Sequence, residues 1–180
     1  MRWLSILAAL CMLMSTSAHA GLLGSTVTTQ YYAYGGTYDG SGSPATFVAD
    51  GTAQNQFLNY YTLSVTDTQV IYSFLSEVTW SPSSTSLNEN GLFITNGNLL
   101  TFAGAPTITG VSFDALSFND AGIGLTFTGN QIAIDWQNVS FASGSQVILN
   151  VTTGVVPEPD SLAFMLAGLG LMSVLRRRVS

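Results

Sequence analysis

Lysine and arginine are missing from the whole stretch between residues 21 and 156: the four basic residues of this 180-residue chain are Arg2, Arg176, Arg177 and Arg178. The same stretch lacks histidine and cysteine, because the one histidine is His19 and the one cysteine is Cys11. Each absence excludes a class of chemistry. Without His, Cys or Lys the body cannot assemble a Ser-His-Asp, Cys-His or Ser-Lys nucleophile–base pair. Zinc and most transition metals lose their preferred ligands. No disulfide can form there, so stability must come from a core of sufficient size, which about 136 residues can supply. The acids Asp39, Asp50, Asp67, Glu77, Glu89, Asp114, Asp120 and Asp135 stand unopposed. They give the body a charge of about −8, which repels phosphate backbones, and no nucleic-acid partner is expected.

Carboxylate chemistry survives these exclusions. Two acids flanking a sugar suffice to cut a glycosidic bond, so a carboxylate-dependent glycosidase is one reading. Nothing in the spacing of Glu77, Glu89, Asp114, Asp120 and Asp135 singles out a pair, and the chain is expected not to be an enzyme, with no catalytic residue. Calcium takes carboxylate, amide and backbone oxygens, which Asn88-Glu89-Asn90-Gly91 and Asn119-Asp120 offer. Neither matches a calcium-loop spacing, and both read as turns, so no metal or cofactor is expected.

The first 20 residues have the layout of a signal peptide. Arg2 forms a positive start, Trp3 to Met14 an apolar run, and Ala18-His19-Ala20 a small-x-small site for signal peptidase. The apolar run is shorter than the ~20 residues of a spanning helix, which argues against an anchor. Leu10 before Cys11 argues against a lipoprotein signal.

Between the ends, residues 21–154 alternate apolar and polar positions over short stretches bounded by Gly, Asn, Asp, Ser and Pro, the pattern of half-buried antiparallel strands. Ile123, Leu125 and Phe127 line one face, Gly129-Asn130 turns the chain, and Ile132, Ile134 and Trp136 line a face again, which predicts a hairpin with a primed turn. A second hairpin is expected at Asn96-Gly97, between Leu92-Phe93-Ile94 and Leu99-Leu100-Thr101-Phe102. Further strands are expected over Val27–Tyr34, Phe57–Val65, Gln69–Leu75, Val78–Trp80, Thr107–Phe113 and Val147–Val151. Gly35–Pro44 and Ser81–Asn90 read as loops. The predicted fold is all-β, an antiparallel sandwich or jelly roll.

From Val155 the character changes. Pro157-Glu158-Pro159 holds an extended connection, because proline joins neither a ladder nor a helix interior. Residues 161–175 form an uncharged, Leu/Ala/Gly-rich stretch expected to make one transmembrane helix, and Arg176-Arg177-Arg178 follow. At 1.5 Å per residue that helix is short for a ~30 Å hydrocarbon core. The arginines would lie in the cytoplasm and the body outside. In this order, proline motif, apolar helix and arginine cluster, residues 155–180 resemble the tail of the PEP-CTERM sorting proteins. Asp160 departs from the small residue common after the motif. The resemblance implies that an exosortase recognises and removes the tail, leaving an inner-membrane precursor and a mature form at the cell surface or outside the cell. It further implies association with exopolysaccharide production.

Two accounts of the run Gln30-Tyr31-Tyr32-Ala33-Tyr34 with Tyr38 stay open: alternate tyrosines of a sheet, or flat faces for sugar stacking. The sequons Asn138-Val139-Ser140 and Asn150-Val151-Thr152 fall in expected strands. The expected role is therefore a structural or adhesive matrix component, with a carbohydrate-binding module as the alternative.

Overall fold

The computed structural model describes residues 21–118 and 122–154, which lie within one unit, His19–Val155. In chain order the strands are β1 (Thr26–Ala33), β2 (Gly36–Tyr38), β3 (Ala45–Val48), β4 (Gln54–Gln56), β5 (Tyr61–Val65), β6 (Gln69–Phe74) and β7 (Val78–Thr79). They continue with β8 (Leu87–Glu89), β9 (Leu92–Ile94), β10 (Gly97–Ala103), β11 (Ile108–Phe113), β12 (Gly124–Phe127), β13 (Gln131–Asp135), β14 (Ser140–Phe141) and β15 (Gln146–Thr153). One sheet of six strands runs β12-β13-β10-β1-β2, with β3 pairing β1 beside β2, and a sheet of five runs β11-β15-β6-β5-β4. Every named pairing is antiparallel. The all-β prediction holds.

Period-two alternation sets the core. On the first sheet Val27, Tyr31, Leu100, Phe102, Ile132 and Ile134 are buried; on the second, Tyr61, Leu63, Tyr72, Phe74, Val147 and Leu149. All belong to one apolar cluster, so the two inner faces share a single core. Trp136, with no exposed surface, sits in it as expected.

A smaller core lies on the outer face of the first sheet. Hairpin β8–β9 brings Leu87, Leu92 and Ile94 over Leu99 and Ala133, with Tyr32 packed alongside. Its turn is Asn90-Gly91, where φ values of +55° and +79° fit a primed turn. This corrects the hairpin expected at Asn96-Gly97. β9 and β10 are not paired; β10 runs between β1 and β13. A Cβ placed on Gly97 would fall on the carbonyl oxygen of Ile134, so this glycine serves close backbone approach rather than a turn. The β12–β13 hairpin forms as predicted, with the N–H of Thr128 donating to the carbonyl of Gln131 at 2.9 Å. Gly129 and Asn130 are not among the positive-φ residues, so its turn is not of the primed type.

Three expected loops or strands change character. Gly35–Pro44 contains β2, Ser81–Asn90 contains β8, and the strand expected from Phe57 begins at Tyr61. Among the described residues no helix is long and apolar enough to cross a membrane. The signal peptide with Ala18 and Ala20, the helix expected at 161–175, and Arg176, Arg177 and Arg178 lie outside the described residues.

Candidate functional site

An aromatic chain runs from the core to the surface at the end of β1. Trp136 stacks against Trp80 with ring centroids 5.6 Å apart, and Trp80 lies 5.3 Å from Tyr31. The Tyr31 ring is stacked on Phe57 at 4.0 Å and 8°. Tyr38 meets Phe57 edge-on at 5.3 Å, and Tyr34 lies 6.4 Å beyond Tyr38 at a tilt of 52°. Exposure rises along this path from buried Trp136 and Tyr31 to 36% at Tyr38 and 67% at Tyr34.

Polar contacts fix the inner end. The Tyr31 hydroxyl donates to Asn96 Oδ1 and accepts from Trp136 Nε1 at 3.4 Å. Asn96 in turn donates from Nδ2 to the Ser81 carbonyl and from its backbone N–H to Asp135 Oδ1, both at 2.8 Å. Burial, with smaller contributions from Tyr34 and Asp135, pushes the Tyr31 phenol above the usual tyrosine range, although the Trp136 donation pulls it down. Burial pushes Tyr61 and Tyr72 the same way.

Unusual backbone surrounds the outer end. Of the seven non-glycine residues with positive φ among the described residues, five belong here: Tyr34 (+57°), Ser41 (+54°), Phe57 (+20°), Leu58 (+54°) and Asn59 (+57°). Left-handed backbone costs a non-glycine residue about 1–2 kcal/mol, and runs of it are rare. Phe57–Asn59 makes one such turn, which turns the Phe57 ring inward against Tyr31 and leaves Leu58 49% exposed. The Leu58 N–H donates to the Ser41 carbonyl at 2.8 Å, joining this turn to the loop after β2. Tyr34 is held by its backbone N–H, which donates to Ser83 Oγ, and by a 3.3 Å contact between its hydroxyl and Ser81 Oγ.

The two accounts of the tyrosine run therefore divide by residue. Tyr31 is a core residue of alternating β1, and Tyr32 packs under the β8–β9 hairpin. Tyr34 and Tyr38 present rings to solvent. Sequence reasoning missed Leu58, Ser81 and Ser83, which join the patch only through long-range packing. The glycines flanking Tyr34 and Ser41 were the available signal.

The acids are dispersed. Asp135, at the end of β13, is buried and accepts from Asn96; Glu77 and Glu89 are exposed. Asp114 accepts from the Leu116 N–H at 2.9 Å and from Asn150 Nδ2 at 3.0 Å, which holds its carboxyl below the usual range. Asp120 lies outside the described residues. No group of three or more His, Cys, Asp or Glu gathers among the described residues. Asn138 occupies an exposed turn with φ +62° rather than a strand, while Asn150 lies in β15 as expected.

β15 is an inner strand of the second sheet and ends at Thr153, and the Gly154 N–H donates to the Thr107 carbonyl at 2.7 Å. Pro157, Glu158 and Pro159 lie just past this point, outside the described residues. The described residues thus form an antiparallel β-sandwich, and its last strand is followed in the sequence by a proline-marked tail. Residues 155–179 match the family model of the PEP-CTERM protein-sorting motif. The chain carries that motif, which implies export, anchoring through the C-terminal segment and processing by an exosortase. No curated protein and no solved structure matches the chain.

Proposed function

We propose that this chain is a non-enzymatic component of the cell surface or extracellular matrix, delivered by its sorting motif and associated with exopolysaccharide. The observation that carries the reading is the PEP-CTERM motif at residues 155–179. Signal peptidase removes residues 1–20, the β-sandwich is exported, and the apolar stretch 161–175 with Arg176–Arg178 holds the precursor in the inner membrane until the exosortase acts. The absence of His, Cys, Lys and Arg from the body supports a role without catalysis. So does the use of Asp114 and Asp135 as acceptors for neighbouring amide groups. A carbohydrate-binding module is the second reading, favoured by the exposed rings of Tyr34 and Tyr38.

Replacing Pro157, Glu158 and Pro159 with Ser or Gly tests the sorting step. In cells with an active exosortase, the unaltered protein should reach the surface or medium with an intact mass that excludes Arg176–Arg178. The replaced protein should accumulate at full length in the inner membrane. A surface species of the unaltered protein that still contains the arginines would overturn the proposal.

A further inference from the structure

The outer end of the aromatic chain combines three features. Two phenol rings, Tyr34 and Tyr38, stand 6.4 Å apart at 52°, so their faces bound an open angle rather than one flat surface. Both are fixed in place: Tyr34 by Ser81 and Ser83, Tyr38 by its edge-on packing against Phe57 and Tyr31. The backbone that presents them has positive φ at Tyr34, in the two-residue primed turn Tyr34-Gly35 of the β1–β2 hairpin, and through Phe57–Asn59. The hairpin accounts for Tyr34, whereas three consecutive left-handed non-glycine residues, Phe57–Asn59, exceed what a tight turn uses, and such clusters gather at ligand sites.

We propose that Tyr34 and Tyr38, with the hydroxyls of Ser81 and Ser83 and the exposed side chain of Leu58, form a binding site for an uncharged polysaccharide. The proposal rests on the exported placement argued above. A pyranose presents C–H groups on its faces and hydroxyls around its rim. The phenol rings match the faces; the Ser83 hydroxyl donates to the Ser84 carbonyl and accepts from the Tyr34 N–H, so it keeps one acceptor position for the rim, and the Ser81 and Tyr34 hydroxyls, paired with each other, keep the rest. Tyrosine, serine and glycine together make adaptable recognition surfaces at low entropic cost, and this loop reads Tyr-Gly-Gly-Thr-Tyr-Asp-Gly-Ser-Gly-Ser. Charge selects among glycans. With no lysine or arginine between residues 21 and 156 and Asp39 next to Tyr38, an anionic polymer finds no counter-charge and is repelled. Two rings and one leucine are also too small an apolar surface for the buried centre of a protein interface.

The test uses the full-length protein in mild detergent, with laminarin as the neutral probe and alginate as the anionic one, read by affinity electrophoresis. Laminarin should retard the unaltered protein and alginate should not. Y34A and Y38A should each weaken the laminarin effect about tenfold, as truncating an anchoring tyrosine does, whereas Y38F should keep it. Y34G separates binding from folding: glycine accepts the left-handed backbone, so its melting temperature should hold or rise while binding falls. Retention by alginate instead of laminarin, no retention by either, or undiminished laminarin binding in the Y34G/Y38A double variant would overturn the site. The cell's own exopolysaccharide separates the two levels of argument. If it retains the unaltered and double-variant proteins equally, the site fails and the surface role stands. If it retains neither while laminarin binding depends on the tyrosines, the site stands and the exopolysaccharide role fails.

Discussion

Trp80 and Trp136 stack at 5.6 Å and 25° in the core, yet their indole nitrogens differ: Trp136 Nε1 donates to Tyr31, while Trp80 Nε1 is buried with no partner among the described residues. A buried donor without an acceptor forfeits its hydration without return.

Phenylalanine at each position therefore has unequal consequences. Both substitutions lose ring volume, but W80F also removes the unsatisfied donor, whereas W136F removes a made bond. W136F should cost about 1–3 kcal/mol more than W80F. Urea unfolding of the two variants measures the difference, and equal costs or the reverse order would show that the donors do not set it.

The two Asn-Gly pairs separate in the same way. G91A adds a side chain at φ +79° in an exposed turn and should cost about 1–2 kcal/mol. G97A drives a Cβ onto the Ile134 carbonyl between paired strands and should cost about 3 kcal/mol or prevent folding. If G97A melts like G91A, the close approach of β10 to β13 is wrong.

Alkali should unfold the domain cooperatively. The phenols of Tyr31, Tyr61 and Tyr72 are raised in the fold, chiefly by burial, above the ordinary value of 10.0. Above pH ~10 the unfolded chain loses these protons and the folded one keeps them, so the stability present below that pH declines as pH rises. Each group contributes about 1.4 kcal/mol per pH unit, or about 4 kcal/mol for the three. Phenolate absorbance from these residues should appear together with loss of near-ultraviolet circular dichroism. Their ionisation while the folded signal persists would contradict this burial.

Composition yields a further prediction. Trypsin should make no cut within residues 21–156, even in urea, and the melting temperature of the mature protein should ignore dithiothreitol. A tryptic cut after Arg2, or after any of Arg176–Arg178, in the surface form would show that the mature chain has other boundaries.

Much of the sandwich was legible because alternation survives wherever one face of a strand is buried. β1, β6, β13 and β15 follow the expected stretches to within one or two residues, and Trp136 falls in the core. β2, β3 and β4, short pieces rich in Gly, Thr, Gln and Asn, carry too little alternation to stand out. Tyr34 and Tyr38 were visible as candidates for stacking. Their partners were not, since Ser81 and Ser83 lie more than forty residues away, after β7, which pairs with β14 and not with β1.

What the sequence determined alone follows from residue identity: a cation-free, acidic, disulfide-free body and a sorting motif at residues 155–179. These properties need no partner in space. Tertiary structure alone decided which Asn-Gly turns the chain and which tyrosine faces solvent. Both dipeptides satisfy turn chemistry locally, so the choice fell to strand pairing. β10 gains β1 on one side and β13 on the other, which holds Gly97 inside a sheet and leaves Asn90-Gly91 to make the turn. Tyr31 falls on the inner face of β1, while Tyr34 lies one residue past its end, where left-handed backbone turns it out.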